Sequence, residues 1–321
     1  MTDALSMTLP GTDLVVSRIC LGGNRLGGEL DQKDSFALLD AFVERGGTFV
    51  DSAHVYANWI AGNERNSSEK TLGRWLKARG GARGVVIATK GGSPEPDTPR
   101  VRRLDEGSIR QDVSEALDNL GVGSLDLFYL HRDDTDRPVE ELLGVVEAMR
   151  AEGLIRHYAC SNWSGIRMEE AADVARRNGW IGFVASQSEW SLATRNAGTS
   201  SDDLLQMNDA MMLAHKRLNL PAIPYSSQAR GYFDKVVAGT LDAVTTARYD
   251  NGANRKKAAA LAAVARRHGA TPTQVMLAAM MRSPFPTIPI VGCRTPDQVA
   301  GSLAACTVRL DDADVAAITA T

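Results

Sequence analysis

The chain has 321 residues, of which 44% are hydrophobic and 23% charged, a composition that excludes disordered and fibrous proteins. Its 36 basic and 39 acidic residues give a formal net charge of −3, which offers nucleic acid no overall attraction. No apolar run approaches the roughly 20 residues of a membrane helix, and the N-terminus lacks the basic and apolar regions of a secretion signal. We therefore expect a cytoplasmic protein that acts on a small molecule, without a nucleic-acid or membrane partner.

Eight short apolar runs recur along the chain, and each ends in polar residues before an amphipathic helical pattern. Their continuous apolar character is typical of strands buried on both faces of a parallel sheet. The runs lie at 18–23, 48–52, 85–90, 125–131, 157–162, 183–187, 222–227 and 287–292. Eight strand–helix units predict a (β/α)8 TIM barrel, an α/β fold, formed by residues 1–321 as a single domain. A doubly wound sheet is the alternative, but the glycines of LGGNRLGG at 21–28 do not have the GxGxxG spacing.

Local signals add detail to this barrel. Residues 7–16 around Pro10-Gly11-Thr12 predict a hairpin that plugs the barrel bottom. Capping patterns predict helix starts at Asn66 with Glu69, at Pro138, at Thr271 with Gln274 and at Thr295 with Gln298. Less regular stretches at 92–104, 132–137, 189–201 and 226–255 follow strand ends, where barrel active sites are built.

Four ionisable residues follow the ends of early strands and converge on one mouth of the predicted barrel. They are Asp51, Tyr56, Lys90 and His131. A phenol beside an ammonium has a lowered pKa, a carboxylate keeps that ammonium charged, and an imidazole can bind a carbonyl oxygen. Each residue alone has an ordinary packing explanation. Together they predict a site that protonates an oxygen while another group attacks the carbon.

The motifs that carry these residues resemble the aldo-keto reductase superfamily along essentially the whole chain. They are FVDSAHVY at 49–56, VVIATK at 85–90, LDLFYLHRDD at 125–134, ACSNWS at 159–164, ASQSEWSL at 185–192, IPYSSQARGYF at 223–233 and IVGCRTPDQV at 290–299. The resemblance implies an NAD(P)H-dependent carbonyl reductase on a (β/α)8 barrel. It also implies that Asp51, Tyr56, Lys90 and His131 are the catalytic tetrad, with Tyr56 as general acid.

The same resemblance implies a set of cofactor-binding residues. Ser161, Asn162 and Gln187 match the positions that bind the nicotinamide carboxamide, and Tyr225 matches the aromatic residue that stacks on the ring. Ser226, Ser227, Gln228 and Gly231 match the pyrophosphate loop. Gly292, Cys293, Arg294, Thr295 and Gln298 match the adenosine end, and Gly23 and Asn24 complete the set.

Two departures from the family pattern bear on the choice of cofactor. Gly292 stands where many members carry a lysine for the 2′-phosphate, and Ser302 stands where an asparagine commonly closes the adenine site. Arg294 is a substitute for the missing lysine because its guanidinium can bind a phosphate with two donors. NADP is therefore the expected cofactor, and NAD is the alternative.

The substrate pocket is predicted from side chains that follow strand ends. These are Asn24, His54, Trp59, Trp163 and Trp190, and the alternative is that they pack the loops on themselves. Aromatic walls with polar groups suit a sugar-like substrate, a polar ketone or an aromatic aldehyde.

Two other functions remain open at this point. The resembled family includes nucleotide-binding regulatory subunits of potassium channels, which share the fold. A hydrolytic barrel would need a carboxylate pair or a metal site, and Asp133, Asp134 and Asp136 form the acidic cluster at this face. These acids precede the helix at Pro138, where they favour the helix dipole, so we expect no metal.

Overall fold

The computed structural model describes residues 5–199 and 204–320. Its strands are β1 (Ser6–Thr8), β2 (Val15–Ser17), β3 (Cys20–Gly22), β4 (Phe49–Asp51), β5 (Val86–Gly91), β6 (Leu125–Leu130), β7 (Ile155–Ser161), β8 (Ser186–Gln187) and β9 (Ile290–Val291). Its helices are α1 (Gln32–Glu44), α2 (Ser67–Ala78), α3 (Glu106–Leu120), α4 (Val139–Ala151), α5 (Gly165–Asn178), α6 (Asp209–Leu218), α7 (Tyr232–Ala238), α8 (Ala243–Tyr249), α9 (Gly252–His268), α10 (Pro272–Met280), α11 (Pro296–Leu303) and α12 (Asp312–Thr319).

Parallel strands form a curled sheet in the order β8-β7-β6-β5-β4-β3-β9. Ala222 pairs with Ser186 on one side and with Thr287 on the other, which closes the ring between β8 and β9. The predicted strand at 222–227 is reduced to isolated bridges at Ala222 and Tyr225, and Pro224 between them cannot donate to a ladder. The fold is the expected (β/α)8 barrel, and the doubly wound alternative is excluded.

The N-terminal hairpin plugs the barrel as the sequence predicts. β1 and β2 pair in antiparallel register, with Met7 opposite Val16. Leu9 and Leu14 are buried in one apolar cluster with Phe49 and Leu127, which point into the barrel. The hairpin therefore closes the end of the barrel opposite the strand ends that carry the predicted site.

The helix-capping predictions meet mixed outcomes. Thr271 and Gln274 form the predicted capping box, and Thr295 caps α11, although the Gln298 amide accepts from the Arg294 N–H instead. Pro138 lies one residue before α4. The helix start predicted at Asn66 is confirmed, because α2 begins at Ser67, but Asn66 is left-handed (φ 58°) and its side chain makes no capping hydrogen bond.

The loops at the strand ends are more ordered than expected in one place. The stretch 226–255 contains α7 and α8 and the start of α9, whereas 92–104 and 132–137 contain no regular helix or strand. Positions 200 and 201 of the stretch 189–201 lie outside the described residues. All four cysteines are buried free thiols. In the described part of the chain, we find no helix with the length and apolarity to cross a bilayer.

Candidate active site

Strand alternation brings three of the predicted catalytic residues to one end of the barrel. Phe49 of β4, Val86 and Ala88 of β5, and Leu127 of β6 point into the barrel. Side chains at every second position of a strand share a face. Asp51, Lys90 and His131 continue these inward rows at the carboxyl ends of their strands.

Lys90 is the centre of a buried hydrogen-bonded group. Its ammonium donates to Asp51 Oδ1 at 2.7 Å and Oδ2 at 2.6 Å, and to the Ser52 carbonyl at 2.7 Å. It also lies 2.9 Å from the Tyr56 hydroxyl, which in turn donates to Asp51 Oδ2 at 3.3 Å. The ammonium and the carboxylate are both almost fully buried, so water screens this pair very little.

The environment keeps the Tyr56 phenol protonated. Burial raises its pKa well above the ordinary value of 10.0, and the Asp51 carboxylate raises this pKa further. The expectation of a lowered pKa for Tyr56 is therefore not met in this structure, because burial, followed by the Asp51 carboxylate, raises it. Burial also lowers the pKa of Lys90, against the opposing effect of Asp51. A neutral phenol is the form that can donate a proton.

His131 lies beside Tyr56, with ring centroids 6.0 Å apart and an interplanar angle of 75°. Burial, followed by the Arg132 charge, lowers the pKa of His131 well below 6.5. The buried Nδ1 has no hydrogen-bond partner among the described residues. A neutral imidazole of this kind has one donor and one acceptor, so it can bind an oxygen of a molecule in the site.

The predicted carboxamide-binding residues lie next to the tetrad. Gln187 Nε2 donates to Asp51 Oδ1 at 3.0 Å. Asn162 has a left-handed backbone (φ 60°), and its amide joins the His131 carbonyl at 3.2 Å to the Tyr225 hydroxyl at 2.9 Å. Left-handed backbone at a non-glycine residue is uncommon and is concentrated at functional sites. The Asn162 Nδ2 group also donates to Ser161 Oγ at 3.1 Å.

A cleft of about 730 Å³ extends from Tyr56 towards the loop that precedes α11. Predicted catalytic, cofactor and substrate residues line it: Asn24, Asp51, Tyr56, Trp59, Tyr225, Ser226, Ser227, Gln228, Gly231, Gly292, Arg294 and Gln298. The loop 226–231 is strained, because Ser226, Ala229 and Arg230 all have positive φ. The N–H groups of Ser227, Gln228 and Arg230 donate to no described protein atom. Such a concave run of free N–H groups is suited to an anion.

Several predicted cofactor residues have structural partners instead. Gly23 donates to the Asp51 carbonyl at 2.7 Å, and a Cβ there would lie 2.6 Å from that oxygen. Cys293 is buried with its Sγ 3.6 Å from Ser302 Oγ. The Gln228 amide accepts from the Gly292 N–H at 2.9 Å, so it connects two sides of the cleft.

The outer part of the cleft is more basic than the sequence suggested. Arg25 and Arg230 line it together with Arg294, and a single carboxylate, Glu29, contacts both Arg25 and Arg294. Burial lowers the pKa of Arg25. Glu29 opposes this effect, whereas the charges of Arg294 and Arg230 lower the pKa further. Sequence analysis missed Arg25 and Arg230. The sequence feature that could have indicated them is that each arginine lies in a glycine-containing loop after a strand end.

Three predicted substrate residues do not line the cleft. Trp163 is fully buried, donates to the Arg132 carbonyl at 3.0 Å and packs 4.9 Å from Phe183, in the layer between strands and helices. Trp190 packs on the cluster formed by the C-terminal helices, 6.1 Å from Phe285. His54 is buried against α3, where Nε2 lies 2.8 Å from Glu115 Oε2.

Trp59 is the one of the predicted tryptophans that faces the cleft. About half of its surface is exposed, and its ring meets the Tyr56 ring edge-on at 6.1 Å. It therefore forms an aromatic wall beside the phenol.

The acidic cluster after β6 is neutralised by arginines. Asp133 contacts Arg167 at 2.9 Å, and Asp134 and Asp136 share Arg102. No cluster of potential metal ligands is found among residues 5–199 and 204–320. The geometry thus gives these acids structural partners among the arginines.

Comparison with known proteins agrees with this geometry. A family model described as the aldo/keto reductase family matches residues 18–321. The chain is 28% identical to the uncharacterized oxidoreductase YrpG of Bacillus subtilis, over 94% of this chain and 90% of that protein. It is 28% identical to an aryl-alcohol dehydrogenase [NADP(+)] of Phanerodontia chrysosporium, over 94% and 81%. It is 26% identical to the norsolorinic acid reductase stcV of Emericella nidulans, over 95% and 78%.

The family match spans nearly all of the described barrel, including every strand that carries a predicted catalytic residue. The chain therefore belongs to the aldo/keto reductase family, whose members are oxidoreductases that generally use nicotinamide cofactors.

Proposed function

We propose that the chain is an NADP-dependent reductase that converts the carbonyl group of an aldehyde, a ketone or a sugar-like substrate into an alcohol, with Tyr56 as the general acid. The observation that carries the proposal is the 2.9 Å contact of the Lys90 ammonium with the Tyr56 hydroxyl at the inner end of the cleft. When the phenol gives up its proton, the developing phenolate lies against this ammonium and is stabilised by it.

The residues of the cleft fit a nicotinamide dinucleotide. The free N–H groups of Ser227, Gln228 and Arg230 suit a pyrophosphate, and Arg294 suits the 2′-phosphate of NADP. Tyr225, Ser161, Asn162 and Gln187 would hold the nicotinamide beside the tetrad. A reduced nicotinamide held there would be the hydride source for the carbonyl carbon. The printed name of the Phanerodontia relative, which includes NADP(+), supports this choice of cofactor.

Two groups are available to bind the carbonyl oxygen. The Tyr56 hydroxyl donates the proton, and the neutral His131 ring provides a second hydrogen bond that orients the oxygen. Gln187 donates to Asp51, and Asp51 in turn accepts from the Lys90 ammonium. These contacts fix the ammonium, which keeps the phenol at one position during the reaction. Trp59 would flank the rest of the substrate, which favours planar or aromatic carbonyl compounds.

NADPH oxidation with a panel of aromatic aldehydes, ketones and sugars tests this proposal, alongside NADPH binding measured by fluorescence quenching. We expect saturable turnover with at least one carbonyl class, and only a small residual rate in a Tyr56→Phe protein that still binds NADPH. A Tyr158→Phe protein is the matched control, because that buried hydroxyl bonds to Glu147 on the outside of the barrel. NADPH binding without any turnover across the panel would instead favour a regulatory nucleotide-binding role.

A further inference from the structure

His54 is a buried polar residue that the proposed reaction does not use. It lies between Asp51 and Tyr56 in the chain, and only 4% of its surface is exposed. Its Nε2 lies 2.8 Å from Glu115 Oε2. Its Nδ1 has no hydrogen-bond partner among the described residues and lies 3.6 Å from Glu95 Oε1 and 3.8 Å from Asp112 Oδ1. Carboxylates thus face both nitrogens of a ring whose backbone belongs to the Tyr56 loop.

The same cluster reaches the strand end that carries Lys90. Asp112 Oδ2 accepts from the Gly92 N–H at 2.8 Å, and Gly92 needs a left-handed backbone (φ 76°) to present that group. Asp112 also packs so closely on Gly91 that a Cβ there would lie 2.7 Å from the Asp112 Cβ. The backbone N–H of His54 donates to the Lys90 carbonyl at 3.0 Å. The two segments that carry the phenol and the ammonium are therefore joined to each other and to α3.

We propose that His54 is a positioning residue for the reduction: with Asp112 and Glu115 it holds the Tyr56 loop against the Lys90 strand end and so fixes the contact between phenol and ammonium. This inference rests on the proposed function, because it assigns His54 an effect that passes through Tyr56. A misplacement of about 1 Å at a reacting group can lower a rate about a hundredfold, so this contact needs such support.

The polarity of the cluster supports positioning over simple packing. Glu69, Glu95 and Asp112 are buried beside His54, with Arg103 on Asp112 and Arg65 on Glu95. Buried ionic groups are often replaceable by apolar side chains without loss of stability, whereas they fix one geometry through directed contacts. We infer that the cluster serves the geometry of the loop. His54 does not line the cleft, so a direct contact with substrate is not its role.

The test compares His54→Leu with His54→Gln in the full-length protein. His54→Leu removes both ring nitrogens, and we expect kcat to fall about 10- to 100-fold while the NADPH Kd stays within about twofold. Amide hydrogen exchange in the absence of cofactor should quicken at 52–58 and 90–92. His54→Gln keeps an N–H donor towards Glu115 and should restore most of kcat. His215→Leu, at a buried histidine bonded to the Leu220 carbonyl, is the control and should leave kcat unchanged.

A double-variant cycle shows whether His54 acts through Tyr56. In a Tyr56→Phe background, His54→Leu should cost no further activity, because residues that act as a unit are not additive. An equal loss in both backgrounds, or an unchanged kcat in folded His54→Leu, overturns the inference. If His54→Leu does not fold, Asp112→Asn replaces it with the same expectations. A Tyr56→Phe protein with wild-type activity would contradict the proposed function itself, which is a separate outcome.

Discussion

The Lys90 ammonium holds both oxygens of the Asp51 carboxylate, at 2.7 and 2.6 Å, inside the upper end of the barrel. Because the pair is buried, removing either partner would leave the other charge without a counter-ion and without water to solvate it. Asp51 therefore fixes the Lys90 ammonium at the point where it also meets the Tyr56 hydroxyl.

Replacing Lys90 with methionine should lower kcat strongly and leave cofactor affinity nearly unchanged. The variant keeps the length of the side chain but removes the charge that stabilises the phenolate, so we expect kcat to fall about 10²- to 10⁴-fold. NADPH affinity, measured by fluorescence quenching, should change by less than about threefold. Lys257→Met is the control, because the one hydrogen bond of that half-buried lysine within the described residues goes to the Leu192 carbonyl. A Lys90→Met enzyme with normal kcat would contradict this role of the ammonium.

The pH profile of reduction should reflect a phenol that stays protonated. The group acts as an acid in its neutral form, and burial and Asp51 raise the pKa of Tyr56 well above 10.0. The neutral form therefore persists as pH rises, and kcat for reduction should not decline between about pH 7 and about pH 9. Steady-state rates at saturating NADPH and aldehyde measure this. A decline with a midpoint near neutrality would indicate a phenol whose pKa is lowered instead.

Arg294 should discriminate between the two nicotinamide cofactors. A phosphate contact through its guanidinium is worth about 1.5–3 kcal/mol, so Arg294→Ala should weaken NADPH by that amount and leave NADH nearly unchanged. Glu29→Gln should act in the opposite direction, because Glu29 occupies Arg294 at 3.1 Å and repels a phosphate. Equal losses of both cofactors in Arg294→Ala would show that Arg294 does not read the 2′-phosphate.

The barrel could be predicted from sequence because its strands are continuous apolar runs with polar ends. Even the short strands β8 and β9 lie within runs of this kind. Inward alternation places Asp51, Lys90 and His131 at one mouth of the barrel. The convergence of these three residues was predictable for the same reason. These features depend on periodicity within a few residues, which a sequence displays directly.

The direction of side chains that leave a strand end could not be predicted. Trp59 enters the cleft, whereas Trp163 and His54 turn towards the helices, and the choice depends on loop backbone set by distant contacts with Phe183 and Glu115. The basic outer cleft was missed for a related reason. Arg25, Arg230 and Arg294 come from three loops that only the closed barrel brings together.

The C-terminal helix should supply an acid-sensitive part of the stability. Asp314 closes the capping box of α12, contacts Arg267 and lies 2.6 Å from His268 Nε2. Although burial raises its pKa, the hydrogen bonds from Arg267 and His268 lower it from 3.8 to about 2. A folded-state pKa below the unfolded value stabilises the protein above about pH 4, and this contribution is lost as pH falls towards about 2.

Asp314→Asn should therefore lower the free energy of unfolding at neutral pH by about 1–2 kcal/mol, measured by urea denaturation. The difference from wild type should shrink below about pH 4. Asp312→Asn is the control, since that carboxylate is almost fully exposed and should contribute little. A difference between Asp314→Asn and wild type that does not depend on pH would show that the ionised carboxylate is not the stabilising form.

Tyr56→Phe is the most direct test of the proton donor. The variant removes one hydroxyl and keeps the ring, so the edge contacts with Trp59 and His131 remain and the fold should be unchanged. NADPH binding should stay within about threefold, since the free N–H groups and arginines of the cleft lie elsewhere. General acid catalysis contributes about 10²- to 10⁴-fold, and carbonyl reduction at neutral pH should fall by at least that factor. The Lys90 ammonium and the His131 ring remain near the oxygen, so a small residual rate is expected. Reduction of an aldehyde at near wild-type rate by the Tyr56→Phe enzyme would remove Tyr56 from the mechanism.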